Sequence, residues 1–124
     1  MTPEQQIGRW FWLVIIVIAT AWLLTLFSRP AHAEIASWYG DELAGRPMAN
    51  GEPFDPRAMT CASREHPVGA ILLLTGDGGT TWCEVNDYGP AAWTGRDIDL
   101  SEQVFSLIAD LKVGVIGVSV ERLR

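Results

Sequence analysis

A mainly β domain with one short α-helix, standing behind an N-terminal hydrophobic helix, is the fold class this sequence predicts, and three patterns predict it. Short runs of strand character recur from Ile35 to Leu123, separated by turns that carry glycine and proline. In that part of the chain a single segment, with Val104, Phe105, Leu107, Ile108 and Leu111, repeats its apolar residues at the spacing of a helix face. Residues 10 to 27 are almost unbroken apolar, which sets the first quarter of the chain apart from the remainder.

The apolar run follows Arg9 and leads into Ser28-Arg29-Pro30 and then Ala31-His32-Ala33, a small-x-small cleavage pattern. Two readings of residues 1–33 stay open: a signal peptide removed after Ala33, or an uncleaved anchor in the inner membrane through residues 10–27. Either way the domain at 34–124 is exported, to the periplasm or the cell exterior. Three tryptophans and the lack of a polar face argue against a core helix of the domain. Beyond residue 33 seven basic side chains face fourteen acidic ones, a balance that argues against nucleic acid and anionic lipid as partners. Cys61 and Cys83 form an even pair, read in an oxidising compartment as one disulfide, although two buried thiols would look the same. With those two cysteines and only His66 in this part, no zinc-type ligand set is expected.

Taken in order, Ile35 to Gly40 is a compact aromatic strand. Asp41 to Pro56 is polar, rich in glycine and proline, and long for a loop in a small domain, which marks it as functional. Ala58 to Ala62 is a short strand, and Pro67-Val68-Gly69 a turn. Ala70 to Thr75 has the continuous apolar content of a buried strand. Gly76-Asp77-Gly78-Gly79 predicts a hairpin, with the returning strand over Thr80 to Asn86. Period two puts Thr81, Cys83, Val85 and Asp87 on the core face. After Tyr88-Gly89-Pro90, a short apolar run carries Asp99. Ser101 is the N-cap of the helix, which Lys112 and Gly114 close, and Val115 to Leu123 is a half-buried last strand.

Asp87 and Asp99 therefore end on adjoining elements. Carboxylates held close in a partly apolar setting are pushed toward different protonation states, as general acid and base work on a glycosidic bond requires. Asp99 follows an apolar residue and is expected to be the less solvated, hence the general acid. Asp87 is expected to stay ionised, with Glu52 of the long loop as the alternative base. The bland readings are a carboxylate favouring a helix N-terminus for Asp99, a turn cap for Asp87 and a solvated side chain for Glu52. Trp38, Tyr39 and Trp93 are flat rings suited to sugar stacking, or core aromatics in the case of the first two. His66, between Glu65 and Pro67, reads as a surface turn residue.

Five ordered motifs carry a resemblance: Ala36-Ser37-Trp38-Tyr39-Gly40; Ala49-Asn50-Gly51-Glu52 with Phe54-Asp55; Met59-Thr60; Val85-Asn86-Asp87-Tyr88-Gly89-Pro90; and Gly95-Arg96 with Ile98-Asp99-Leu100-Ser101. Over nearly all of residues 34 to 123 the chain resembles the double-psi β-barrel domain of the RlpA-like (rare lipoprotein A) family, related more distantly to barwin and the expansins. The resemblance implies a six-stranded double-psi β-barrel and a groove for peptidoglycan glycan strands. It also implies lytic transglycosylase activity on the β-1,4 bond between N-acetylmuramic acid and N-acetylglucosamine, leaving a 1,6-anhydro sugar and needing no metal or organic cofactor.

Residue by residue, Glu52 falls on the family's loop glutamate, Asp55 on the acid three positions later, Asp87 on the acid of the Asn-Asp-x-Gly-Pro motif and Asp99 on that of the Asp-Leu-Ser motif. The resemblance thus implies catalytic Asp99, Asp87 and Glu52; Trp38, Tyr39, Asp55, Ser63, Trp93 and Arg96 are the residues expected against the substrate, in a chain expected to be a monomer. Ser63 stands where the family carries a histidine, and Tyr88 where an arginine is common. These departures keep a second class in view, an expansin-like module that binds or loosens wall glycan without cleaving it.

Overall fold

The computed structural model describes residues 3–27 and 31–124, with side chains in the N-terminal helix described only as far as residue 19. That helix, α1, spans Pro3–Phe27. Its side chains from Trp10 to Ile18 are exposed. Among the described residues no helix is long and apolar enough to cross a membrane. The Ser28-Arg29-Pro30 flank of the expected signal lies outside the described residues.

Six strands follow: β1 His32–Tyr39, β2 Thr60–Ser63, β3 Ile71–Gly76, β4 Gly79–Asp87, β5 Ile98–Ser101 and β6 Val115–Arg122. They close into a barrel in the order β1-β5-β2-β4-β3-β6. β1 with β5 and β2 with β4 run parallel, and the other four pairings are antiparallel. Closure leaves no strand edge unpaired, which suits a domain too small to cover one with further elements.

The alternation expected of strands fills the barrel. Ala36, Cys61, Leu72, Leu74, Cys83, Val85, Ile98, Leu100, Val118 and Val120 are all buried in one cluster. Cys61 and Cys83 are joined as a disulfide inside it. The helix α2 spans only Glu102–Ser106, shorter than the apolar spacing through Leu111 predicts. Leu111–Val113 is instead a separate 3-10 turn, opened by Asp110, whose side chain accepts from Lys112 N. Val104, Phe105 and Ile108 still reach the core, so burial directs this segment without a continuous helix. Ser101 caps α2 as expected, accepting from Val104 N at 3.2 Å, and its hydroxyl donates to Ala58 O at 2.7 Å.

The hairpin is also as expected, with Gly76 paired to Gly79 around Asp77-Gly78. β1 starts earlier than Ile35: His32 and Ala33 already pair with Val120 and Ser119 of β6. The domain boundary expected after Ala33 thus falls inside a paired strand.

A second, smaller apolar cluster lies on the outer face of the barrel. Tyr39, Met48, Phe54 and Ala62 are buried together there, beneath the loop from Asp41 to Pro56. The loop is ordered by a 3-10 turn at Asp41–Leu43 and a bridge between Pro47 and Pro53. It is this outer face, not the barrel interior, that carries the acidic residues of interest.

Candidate active site

The site grows from one row of residues across three strand pairings. Ala62 on β2 pairs with Asp87 of β4 on one side and with Asp99 of β5 on the other. Asp99 in turn pairs with Ser37 of β1. Residues opposite each other in a sheet share a face, so Asp87, Ala62, Asp99 and Ser37 point outward together. With strands about 4.8 Å apart, the two aspartate backbones are separated by about 10 Å.

Asp87 reaches this row through a β-bulge, which corrects the core-facing position that strict alternation predicts for it. Thr60 and Cys61 pair with Glu84 and Val85, and the next residue, Ala62, pairs with Asp87. Asn86 is therefore an extra residue on β4, and one extra residue turns Asp87 to the opposite face. The bulge also docks the long loop, because Asn50 N donates to Asn86 O at 3.2 Å. The Met48–Glu52 turn is thereby pinned beside Asp87.

Asp99 is held at one oxygen. Its Oδ1 accepts from Arg96 Nη1 at 2.9 Å and from Ser37 Oγ, and Arg96 Nη1 also contacts Ser37 Oγ. The Asp99 side chain is 17% exposed and the Arg96 side chain 34%. Asp99 Oδ2 has no protein donor among the described residues, so the carboxylate is anchored on one side and open on the other. Asp87 Oδ1 accepts from Tyr88 N at 2.9 Å and has no cation beside it among the described residues.

Tyr39 closes the site from β1. Its ring packs on Phe54, centroids 4.5 Å apart, and its hydroxyl is buried without a partner among the described residues. Burial first, and then the negative charges of Asp87 and Asp99, push the phenol above its ordinary value. It stays a neutral hydroxyl with a free hydrogen bond to give, a role that reading it as a stacking ring missed. Its sequence signal was the period of β1, which puts Ser37 and Tyr39 on one face.

The other expected residues fall into place less uniformly. Trp38 is not a free stacking surface: its Nε1 donates to Leu111 O at 3.0 Å and its ring packs near Phe105. Tyr39, 8% exposed, is not one either, whereas Trp93 is 88% exposed and Tyr88, not singled out before, 71%. Glu52 is exposed on the pinned turn. Asp55 caps its own turn by accepting from Arg57 N at 2.9 Å, and it lines a cleft of about 520 Å³ with Asp41, Pro56, Arg57, Glu102, Gln103, Ser106 and Leu111. Neither Asp87 nor Asp99 lines that cleft.

Ser63 is buried opposite Ile98, and its Oγ accepts from Glu65 N and His66 N. Its oxygen is engaged by the turn and the residue is 3% exposed, which leaves it little surface to present to a substrate. His66 is buried as well, not a surface turn residue, because its ring sits against Glu34 of β1 at 3.1 Å. His32, on the segment read as removable, converges with Glu34, Glu65 and His66, their candidate ligand atoms all within 4.8 Å of one another.

Arg64, also missed, ties the loops beneath the site. It donates to Pro90 O at 2.6 Å and to Arg96 O at 3.1 Å, and pairs with Asp97 at 3.4 Å. Gly89 lets the chain pass close: its φ is 85°, and a Cβ there would stand 2.8 Å from Arg64 N and from the Ser63 carbonyl carbon.

Comparison with known proteins extends these observations. The family model described as "Lytic transglycolase" matches residues 31–120. The chain is 42% identical over 93 residues to a probable endolytic peptidoglycan transglycosylase RlpA of Nostoc, covering 72% of this chain and 25% of that protein. It is 33% identical over 115 residues to the protein of the same description in Treponema pallidum, covering 88% of this chain and 36% of that one. The chain thus spans about a quarter to a third of these relatives' length. Among solved structures, an expansin of Clavibacter michiganensis is similar with a TM-score of 0.60 at 26% identity, over 76% of this chain and 50% of that one.

Proposed function

Because the chain belongs to the lytic transglycolase family, we propose that its outer-face aspartate row cleaves the glycan strands of peptidoglycan by intramolecular transglycosylation. The bond broken is the β-1,4 link between N-acetylmuramic acid and N-acetylglucosamine. The muramic acid's own 6-hydroxyl adds to C1, the leaving oxygen takes a proton, and no water is consumed.

The observation that carries this reading is the asymmetry of the pair. Asp99 has a guanidinium and a hydroxyl on Oδ1 and no protein donor on Oδ2 among the described residues. That environment suits an ionised group facing the developing positive charge at C1 and accepting the 6-hydroxyl proton. Asp87, without a cation beside it, then supplies the proton to the leaving oxygen. These roles reverse the order expected from solvation alone, on the ground that Arg96 stands beside Asp99. Tyr39 donates its unspent hydroxyl to a substrate oxygen between the two acids, Glu52 borders the bound strand from its turn, and Trp93 offers the ring for sugar stacking. With this substrate the protein works in the cell envelope, reached through its N-terminal apolar segment.

One observation favours the second reading, glycan binding without turnover: Ser63, at the position of the resembled family's histidine, is buried with its hydroxyl occupied. Incubating the protein with peptide-free glycan strands and analysing the products by mass spectrometry separates the two. Anhydro-ended fragments are expected. Binding without such fragments would overturn the catalytic reading and leave an expansin-like module.

A further inference from the structure

Away from the aspartate row, four side chains of metal-binding type meet where the start of β1 approaches the loop after β2. We infer that His32, Glu34, Glu65 and His66 form a binding site for a single zinc-type divalent cation, which clamps the first strand of the barrel to that loop.

Local structure places each ligand. His32 and Glu34 are two residues apart on β1 and so share a face. Glu65 and His66 follow β2 in a turn fixed by Ser63 Oγ, which accepts from both of their backbone N–H groups at 3.2 and 3.0 Å. One candidate atom from each of the four residues lies within 4.8 Å of all the others. Glu34 Oε2 stands 3.0 Å from His32 Nε2 and 3.1 Å from His66 Nε2, and His32 Nε2 stands 3.4 Å from Glu65 Oε2. Ligands bound tetrahedrally at about 2.0–2.1 Å are about 3.3 Å apart, so these three edges already have the required length.

A second observation points to a missing positive charge. The Glu34 side chain is 2% exposed and that of His66 4%. Yet Glu34 Oε1 and His66 Nδ1 are both buried without a hydrogen-bond partner among the described residues. Burying a carboxylate with one oxygen unmet is costly, and a dication bound at Glu34 Oε2 would offset that cost by neutralising the group. His32 and Glu65, about half exposed, give the ion its path from solvent. Two imidazoles with two carboxylates favour zinc-type ions over magnesium or calcium, and four protein ligands describe a closed, structural site. The site requires His32, so cleavage after Ala33 would take away this ligand and, with it and Ala33, the first two paired residues of β1.

The test uses the full chain, stripped with a chelator and titrated with Zn²⁺ against a chromophoric competitor. One Zn²⁺ per chain is expected, with Co²⁺ in its place giving the visible absorption of a four-coordinate centre. His32→Ala and Glu65→Gln, both at exposed positions that leave the fold intact, are each expected to weaken binding at least tenfold, whereas Asp99→Asn leaves it unchanged. Lack of stoichiometric binding, affinity unaltered in His32→Ala and Glu65→Gln, or loss of binding in Asp99→Asn would each overturn the proposal.

Discussion

Asp87 and Asp99 flank the same residue, Ala62, one from a parallel neighbour and one from an antiparallel neighbour, and so share one face of the barrel wall. Of the two, only Asp99 is tied to an arginine among the described residues. Two like side chains thereby occupy unlike electrostatic settings, which is the physical basis for giving them different tasks.

Replacing Asp99 by asparagine tests that division. Asn keeps the shape but cannot accept a proton, so anhydro-product formation is expected to fall by about 10² to 10⁴. The ion pair lost is partly solvated, so its removal is expected to cost no more than about 1 kcal/mol. Product analysis by mass spectrometry and a thermal melt check the two halves. Unfolding of the variant would make Asp99 a structural residue.

Gly89 positions the other aspartate from behind. Alanine there must adopt a φ of 85° and bring its Cβ to 2.8 Å from Arg64 N. Strain and backbone collision are expected to destabilise Gly89→Ala by more than about 2 kcal/mol. Because the chain has little room to move except by shifting the Asp87–Pro90 turn, activity is expected to fall even at temperatures where the variant is folded. Urea denaturation and glycan cleavage at low temperature measure these effects separately.

How much of this was legible in the sequence depended on the range of the interaction responsible. The hairpin at Asp77-Gly78, the Ser101 cap and the strand alternation around Cys83 are local, and the residues themselves state them. The face of Asp87 is not local: it depends on where β2 meets β4, and a single bulged residue, Asn86, reverses the answer. Arg96 and Asp99, three residues apart in one motif, were legible as neighbours, but Ser37, which contacts both, lies 59 residues from Arg96. His66 was misread for a similar reason, since its burial comes from Glu34, 32 residues away on a strand that begins inside the segment read as a signal. The long helix expected through Leu111 failed because apolar spacing records burial, and a short helix followed by a turn buries Val104, Phe105 and Ile108 equally well.

The disulfide joins Cys61 and Cys83 across 22 residues in the barrel core. Closing a loop of that length limits the unfolded chain and is expected to contribute about 3 kcal/mol. The double variant Cys61→Ala/Cys83→Ala should lose about that much in urea denaturation, with small voids adding to it. Intact-mass measurement after alkylation without reductant should find no free thiol in the native protein. Two modified cysteines would contradict the bond.

Tyr39→Phe separates stability from function in one substitution. The hydroxyl is buried without a partner, so removing it deletes an unmet polar group, and stability at pH 7 is expected to stay the same or rise slightly. The pH dependence has a definite sign. The folded-state phenol is raised above its unfolded value of about 10, first by burial and then by Asp87 and Asp99, so the native state holds its proton more tightly than the unfolded chain does. Below about pH 10 both states are protonated, so this tyrosine gives stability no pH dependence there. As pH rises past the unfolded value, the unfolded state is favoured by releasing the proton, and wild-type stability falls through the alkaline range. Phenylalanine has no proton to release, so the variant is expected to lose less stability than the wild type between about pH 10 and pH 11 in denaturant titrations. If the hydroxyl also donates to substrate, glycan cleavage at neutral pH drops in Tyr39→Phe while the fold is as stable as before. A variant that cleaves glycan at the wild-type rate would confine Tyr39 to packing against Phe54.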